Sequence, residues 1–347
     1  MHKSIISVTL AMMLAATSLV AQQRSGVKLQ DNVPDRYVVV PGDTLWSIAG
    51  RFLKDPWRWP EMWKLNREEI KNPHWIYPGD VIVLDRSGPQ PELKMGDTVR
   101  LSPRIRSEDT SRQAVPAIPP KVIEPFLSRP LVIEPDGLDR APRIVAAQAD
   151  RVYLGSGDVA YVSGIKDAKL ESQWQIYRPG KPLIDPESQK TLGYEAVFLG
   201  DSKVTKAGDP ATIRIVAAQR EIGKGDRLVA AGPIALNHYV PHPPIALVSG
   251  RVIATPGGLG EAGPQSVLAL NKGSSDGLEP GNVLVLSRLG RTVSASSSQG
   301  SPDKDATRLP DERYGLVFVF RTFDRVSYAL VMSASRPVLI GDVVTTP

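Results

Sequence analysis

Cysteine is absent from the 347-residue sequence, which removes disulfides, thiolate metal sites, cysteine nucleophiles and a lipidated N-terminal cysteine together. Histidine is nearly as scarce. Only His2, His74, His238 and His242 occur, too few for the ligand set of a zinc hydrolase. His238-Tyr-Val-Pro-His242 has the spacing of a helical metal pair, but Pro241 and Pro243-Pro244 oppose a helix and the glutamate of HExxH is missing. That stretch reads as an interdomain connection, and neither metal nor cofactor is expected. No G-x-S-x-G nucleophile elbow occurs. The charge balance of +5 is spread along the chain without a basic block, so nucleic acid is not an expected partner. Beyond the N-terminus no apolar run has the length of a membrane helix.

What is present points to loop-rich β structure in two or three domains: 29 glycines and 31 prolines, 41% apolar and 23% charged residues. Residues 1–21 place His2 and Lys3 before an apolar stretch from Ile5 to Val20, which reads as a cleaved export signal. The stretch is short for a membrane span and contains Ser7, Thr9, Thr17 and Ser18; a retained anchor is the alternative. Leu19 fits the small-x-small rule poorly for cleavage after Ala21, so the cut itself is not fixed.

Residues 36–85 form a compact unit. Tyr37-Val-Val-Val40 is β-branched, and Pro41-Gly42 suits a type II turn. Asp43 or Thr44 then caps a helix whose Leu45, Ile48, Ala49 and Phe52 share one face. A second helix starts near Pro60 and carries Met62, Trp63 and Leu65. Ile76-Tyr-Pro-Gly-Asp-Val-Ile-Val-Leu84 supplies a second Pro-Gly turn and a second apolar strand. The order is strand, helix, helix, strand.

With VVPGDTLWSIAGRF at one end and IYPGDVIVL at the other, this unit resembles the lysin motif (LysM) domain over about 48 of the residues. The resemblance implies binding of N-acetylglucosamine-containing glycans, such as peptidoglycan or chitin, in a shallow groove. It places Gly42, Asp43, Thr44 and Leu45 on one side of that groove, and Ile76 and Tyr77 with Pro73 to Trp75 on the other. Turn backbone groups can hydrogen-bond an acetamido group while apolar residues receive its methyl. Five of the six tryptophans, Trp46, Trp57, Trp59, Trp63 and Trp75, lie in this unit. Trp46 and Trp63 are expected in its core; Trp57, Trp59 and Trp75 are left open between core and a wider sugar platform. His74 is read as a plain loop residue.

Residues 86–123, rich in proline, serine and charge, read as a linker interrupted by a short strand candidate at Met95–Leu101. Beyond it, Arg143-Ile-Val-Ala-Ala-Gln148 recurs identically at Arg214–Gln219, and each copy leads to a Gly-Asp turn and a strand, at 155–161 and 223–229. Weaker versions are Val267–Leu270 leading to Pro280–Leu286 and Leu330–Ser333 leading to Ile340–Val344, while Tyr194–Phe198 matches Tyr314–Phe318. Two related β modules, 124–232 and 245–347, built as small barrels or sandwiches, are expected. The recurrent Gly-Asp or Gly-Asn reads as turn chemistry, not as a phosphate or calcium loop. The fold class is therefore a small α+β (βααβ) module followed by a mostly-β region.

The function expected from these features is non-catalytic: an exported, wall-associated, periplasmic or extracellular protein that holds peptidoglycan through residues 36–85. The β modules would serve as a scaffold or a surface for an envelope protein partner. Two alternatives stand beside it. One is a peptidoglycan hydrolase using carboxylates among Glu171, Asp185, Glu187 and Glu195; the other is an envelope-complex adaptor working through protein contacts.

Overall fold

The computed structural model describes residues 26–63, 76–88, 91–96, 115–127, 132–135, 137–148, 151–165, 169–231, 239–255, 260–294 and 306–347. Residues 1–21, read above as an export signal, lie outside them, as do Pro73, His74, Trp75 and His238. Among the described residues no helix is long and apolar enough to cross a membrane.

The N-terminal module opens with β1 (Arg36–Val38) and continues through α1 (Leu45–Phe52), a 3-10 turn at Pro56–Arg58 and α2 (Trp59–Met62). It returns in β2 (Val81–Asp85), antiparallel to β1. Leu45, Ile48, Ala49 and Phe52 are all buried, as their spacing predicts, and pack with Trp59, Met62, Ile82 and Leu84. The described parts of the stretch read as a linker pack onto the rest of the protein. Its residues Glu92–Gly96 form β3, which pairs with β2 as a third strand of the module's sheet. Further on, Val115 and Ala117 join the module's core, and α3 (Pro120–Leu127) follows.

Past β4 (Val132–Ile133) and α4 (Gly137–Arg140), the chain builds β5 (Arg143–Ala147), β6 (Tyr153–Leu154), β7 (Val159–Ser163), β8 (Gln173–Ile184), β9 (Thr191–Lys206), β10 (Ala211–Ala218), β11 (Ile222–Gly223) and β12 (Arg227–Ala230). These give a seven-stranded sheet in which β10 pairs with both β7 and β9, so that β5-β7-β10-β9-β8-β12 close into a ring with β4 outside it. The C-terminal part contains β13 (Ser249–Ala254), β14 (Glu261–Ala262), β15 (Val267–Leu270), β16 (Val283–Arg288), β17 (Thr292–Ser294), β18 (Ala306–Arg308), β19 (Glu312–Thr322), β20 (Ser327–Ala334), β21 (Val338–Leu339) and β22 (Val343–Thr345). Here β13-β15-β20-β19-β16-β22 form a closed barrel. Both rings run first, second, fifth, fourth, third, sixth in chain order, and each carries a two-stranded accessory pair, β6 with β11 and β14 with β21.

This common topology corrects one detail of the sequence repeat. By ring position Val267–Leu270 is a second strand, matching Val159–Ser163, and the partner of Arg143–Ala147 is Ser249–Ala254. Similar turns precede several strands of each ring, so turn chemistry alone does not number the strands. The matches of Leu330–Ser333 with Arg214–Gln219, and of the Tyr194 and Tyr314 segments, agree with the ring positions.

The recurrent turns share one construction. In 40–43, 77–80, 155–158, 223–226, 279–282 and 339–342 the fourth residue's amide donates to the first carbonyl at 3.0 to 3.3 Å. The fourth side chain, Asp43, Asp80, Asp158, Asp226, Asn282 or Asp342, accepts the first residue's amide at 2.7 to 3.0 Å. The third residue is glycine with φ between 92° and 110°, the left-handed region that penalises a Cβ.

Barrel two is apolar on both faces. Leu268, Leu270, Val317 and Val331 fill its interior, whereas Val267, Ala269, Phe318 and Leu330 face a second cluster that includes Trp46, Ile118, Ile123, Leu183 and Tyr239. The N-terminal module, α3 and the β8–β9 hairpin thus cover its outer wall. Phe126 of α3 stacks edge-on against Phe320 at 6.3 Å, and Arg321 donates to the Phe126 carbonyl at 2.7 Å. The start of the segment assigned from sequence to the first β module therefore packs on the second.

Candidate functional site

The two Pro-Gly-Asp turns bring the halves of the motif together around the start of α1. In the first turn the Asp43 carboxylate accepts from the Val40 amide at 3.0 Å, the Tyr37 hydroxyl at 2.8 Å and the Ser47 hydroxyl at 3.3 Å. Burial and this bond to Asp43 push the Tyr37 phenol above its usual range, opposed by Arg51, whose guanidinium lies 4.3 Å over the ring. Thr44 is the N-cap of α1. Its Oγ1 accepts from the Ser47 amide at 3.0 Å, and the Thr44 amide donates to Ser47 Oγ at 2.9 Å, a reciprocal capping box with serine in the third helical position.

A capping box leaves the first two helical amides without partners. Those of Leu45 and Trp46 donate to the carbonyls of Pro116 and Ala117, at 2.9 and 3.3 Å. Across from them, the Ile76 carbonyl accepts from the Val115 amide at 2.9 Å. Residues 115–118 therefore lie between the motif's two sides.

The sequence-predicted residues divide as follows. Gly42 is exposed at the turn apex, Asp43 and Thr44 are committed to turn and cap, Leu45 and Ile76 are buried, and Tyr77 is half-buried with its amide bonded to Asp80. Pro73 and Trp75 lie outside the described residues. Trp46 is buried, although against Phe318 of barrel two (6.4 Å, edge-on) and not in its own module's core. Trp59 is buried and Trp63 partly so, 5.6 Å apart and edge-on. The segment at 115–118 was missed because its prolines read as linker. Its run Val-Pro-Ala-Ile-Pro-Pro, apolar and stiff within a charged stretch, is the signal that marks it.

Three of the four carboxylates considered for hydrolysis, all but Glu195, make polar contacts with neighbouring side chains. Glu171 pairs with Lys203 at 2.8 Å and Glu187 with Arg251 at 3.0 Å. Asp185 accepts from the Ser188 hydroxyl and from Asn271 of barrel two at 2.8 Å; the Ser188 bond leads in holding its carboxyl near pKa 2, with Asn271 and local amides adding to it against partial desolvation. His242 bonds the Val240 carbonyl and Glu279 at 2.8 and 2.9 Å, and neighbouring Tyr239 is buried, donating to the Phe320 carbonyl at 3.1 Å. Tyr239 and His242 of this connection are thus packed against barrel two.

A three-stranded sheet with two short helices and paired Pro-Gly-Asp turns defines the class of the N-terminal module. Residues 37–85 match the family model of the LysM domain, and this part of the chain is a LysM domain. Over 57 residues the chain is 40% identical to "Uncharacterized protein YqbP" of Bacillus subtilis (strain 168), covering 14% of this chain and 26% of that protein. The chain thus spans about a quarter of the curated relative's length. The domain supports binding to peptidoglycan and related N-acetylglucosamine glycans, and association with the cell wall.

Proposed function

We propose that this is an exported, non-catalytic wall-binding protein that holds peptidoglycan through its LysM domain, with the two barrels as scaffold or partner-binding surface. The observation that carries the reading is the LysM match at residues 37–85, with the two motif turns flanking the start of α1. Gly42, Asp43, Thr44, Leu45, Ile76 and Tyr77, with Pro73 and Trp75, are the residues proposed to line the glycan groove. Asp43 and Thr44 act there by shaping the backbone, since their side chains already serve the turn and the cap.

Sedimentation with insoluble peptidoglycan tests this, comparing the mature chain with a deletion of residues 37–84 and with a Thr44→Ala, Tyr77→Ala double variant. The expected outcome is pelleting of the intact chain, its loss on deletion, and no soluble fragments. Undiminished pelleting of the deletion would remove the LysM domain from the role, and released muropeptides would make the protein a hydrolase.

A second reading, an envelope-complex adaptor, is favoured by Ile245 and Leu247, which are 97% and 94% exposed at the bend that precedes β13. An adaptor predicts that Ile245→Ser with Leu247→Ser abolishes co-purification of a defined envelope partner while peptidoglycan pelleting is unchanged.

A further inference from the structure

We infer that the glycan groove of the LysM domain is closed in the resting chain by the protein's own residues Val115–Ile118, and that glycan binds only by displacing them. The inference rests on the LysM reading and adds a gate to it.

Three observations carry it. First, turn and cap bonds engage Asp43, Thr44 and Ser47, and take no part in holding the Leu45 and Trp46 amides or the Ile76 carbonyl, backbone groups on the two sides of the groove. Residues 115–118 take all three. Second, the chemistry is the same as that of the glycan. An acetamido group presents a carbonyl acceptor, an amide donor and a methyl; the segment presents the Pro116 and Ala117 carbonyls, the Val115 amide and apolar side chains. Both cannot occupy the helix start at once. Third, the segment is seated from both sides. Val115 and Ala117 pack in the module's core, Ile118 packs with Trp46 and Phe318 in the cluster over barrel two, and Pro116 lowers the entropy lost on ordering.

The apparent affinity of the native chain is the intrinsic affinity multiplied by the fraction of molecules with the segment released. Net of the solvent exchange that weakens each of them, the three hydrogen bonds hold that fraction to about one in ten or below.

Two measurements on the full chain test the gate, both with a soluble N-acetylglucosamine oligomer. In the first, Val115→Gly with Ile118→Ser is compared with the native chain by calorimetry, and the expected result is an affinity gain of about ten-fold or more. The second uses the native chain alone, so it stands even where the variant fails to fold. Amide exchange at Val115 should speed up when oligomer saturates the protein, while Leu45 and Trp46 stay protected. Equal affinities, or Val115 exchange unmoved by bound oligomer, would overturn the gate and leave the glycan reading intact. Absence of binding by both chains would remove the glycan reading, and the gate with it.

Discussion

Arg288 grips Asp342 through Nε at 3.1 Å and an Nη at 3.0 Å, locking the turn that precedes the last strand of barrel two. Its topological counterpart, Arg178, grips Asp226 in the same way at 2.7 and 2.8 Å. Each guanidinium also donates to a backbone carbonyl, Pro337 or Glu221, five residues before the aspartate. The Arg–Asp clamp is thus a shared feature of the two rings, and no short motif in the sequence announces it.

Asp342 is buried and also accepts from the Tyr314 hydroxyl at 2.7 Å and the Leu339 amide at 2.8 Å. Asp342→Ala strands all of these donors and is expected to destabilise barrel two by about 3 kcal/mol. Denaturant unfolding followed by Tyr314 and neighbouring tyrosine fluorescence would check it. A change within about 0.5 kcal/mol would show the clamp to be ornamental.

Asp185 links the β8–β9 hairpin to Asn271, and its carboxyl sits near pKa 2 against an ordinary 3.8. A lowered acidic pKa gives stability that is complete above the ordinary value and lost as pH falls through the lowered one. The stability difference between the native chain and Asp185→Ala should therefore be flat above about pH 4 and disappear near pH 2. Acid titration of both proteins in denaturant would reveal it; a difference that persists unchanged below pH 2 contradicts the assignment.

Two equivalent glycines should respond differently to alanine. At Gly42, φ is +95° and nothing lies within 4 Å of an added Cβ, so Gly42→Ala carries only the backbone penalty of about 1 kcal/mol. At Gly281, φ is +110° and the Cβ would meet His242 Cε1 at 2.6 Å and the Val240 carbonyl at 2.9 Å. Gly281→Ala should cost about 2 kcal/mol or more, and thermal unfolding of the pair would show the gap.

Trp46→Ala removes the ring that seats the LysM domain on Phe318. The expected result is an undocked N-terminal module, read as faster amide exchange along α3 and at residues 115–118, with the barrel two interior unchanged. Unaltered exchange would mean that Ile118 and α3 hold the interface without it.

The LysM elements were legible because local signals agreed: the Pro-Gly turns, the Thr44 cap and the Leu45, Ile48, Ala49, Phe52 face each specify the same structure. Recurrent Gly-Asp pairs were legible as turns for the same reason. The covering of barrel two was written in plain sight but not as periodicity. Val267-Leu-Ala-Leu270 and Leu316-Val-Phe-Val-Phe320 are unbroken apolar runs, as strands buried on both faces require, and they match the Trp46 and Leu183 contacts found there. What could not be read was which distant element supplied the cover. The docking of residues 115–118 at the start of α1 stayed hidden because backbone carbonyls at Pro116 and Ala117 make the bonds, and any residue type carries those.

The ion pair from Arg313 to Asp55 joins residues 258 positions apart, and Trp46 reaches Phe318 over a similar span. The LysM domain therefore completes its surroundings only once barrel two has formed. Until then Trp46 and Ile118 lack the barrel-two part of their apolar cover, an exposed state of the kind that draws incompletely folded chains into aggregates.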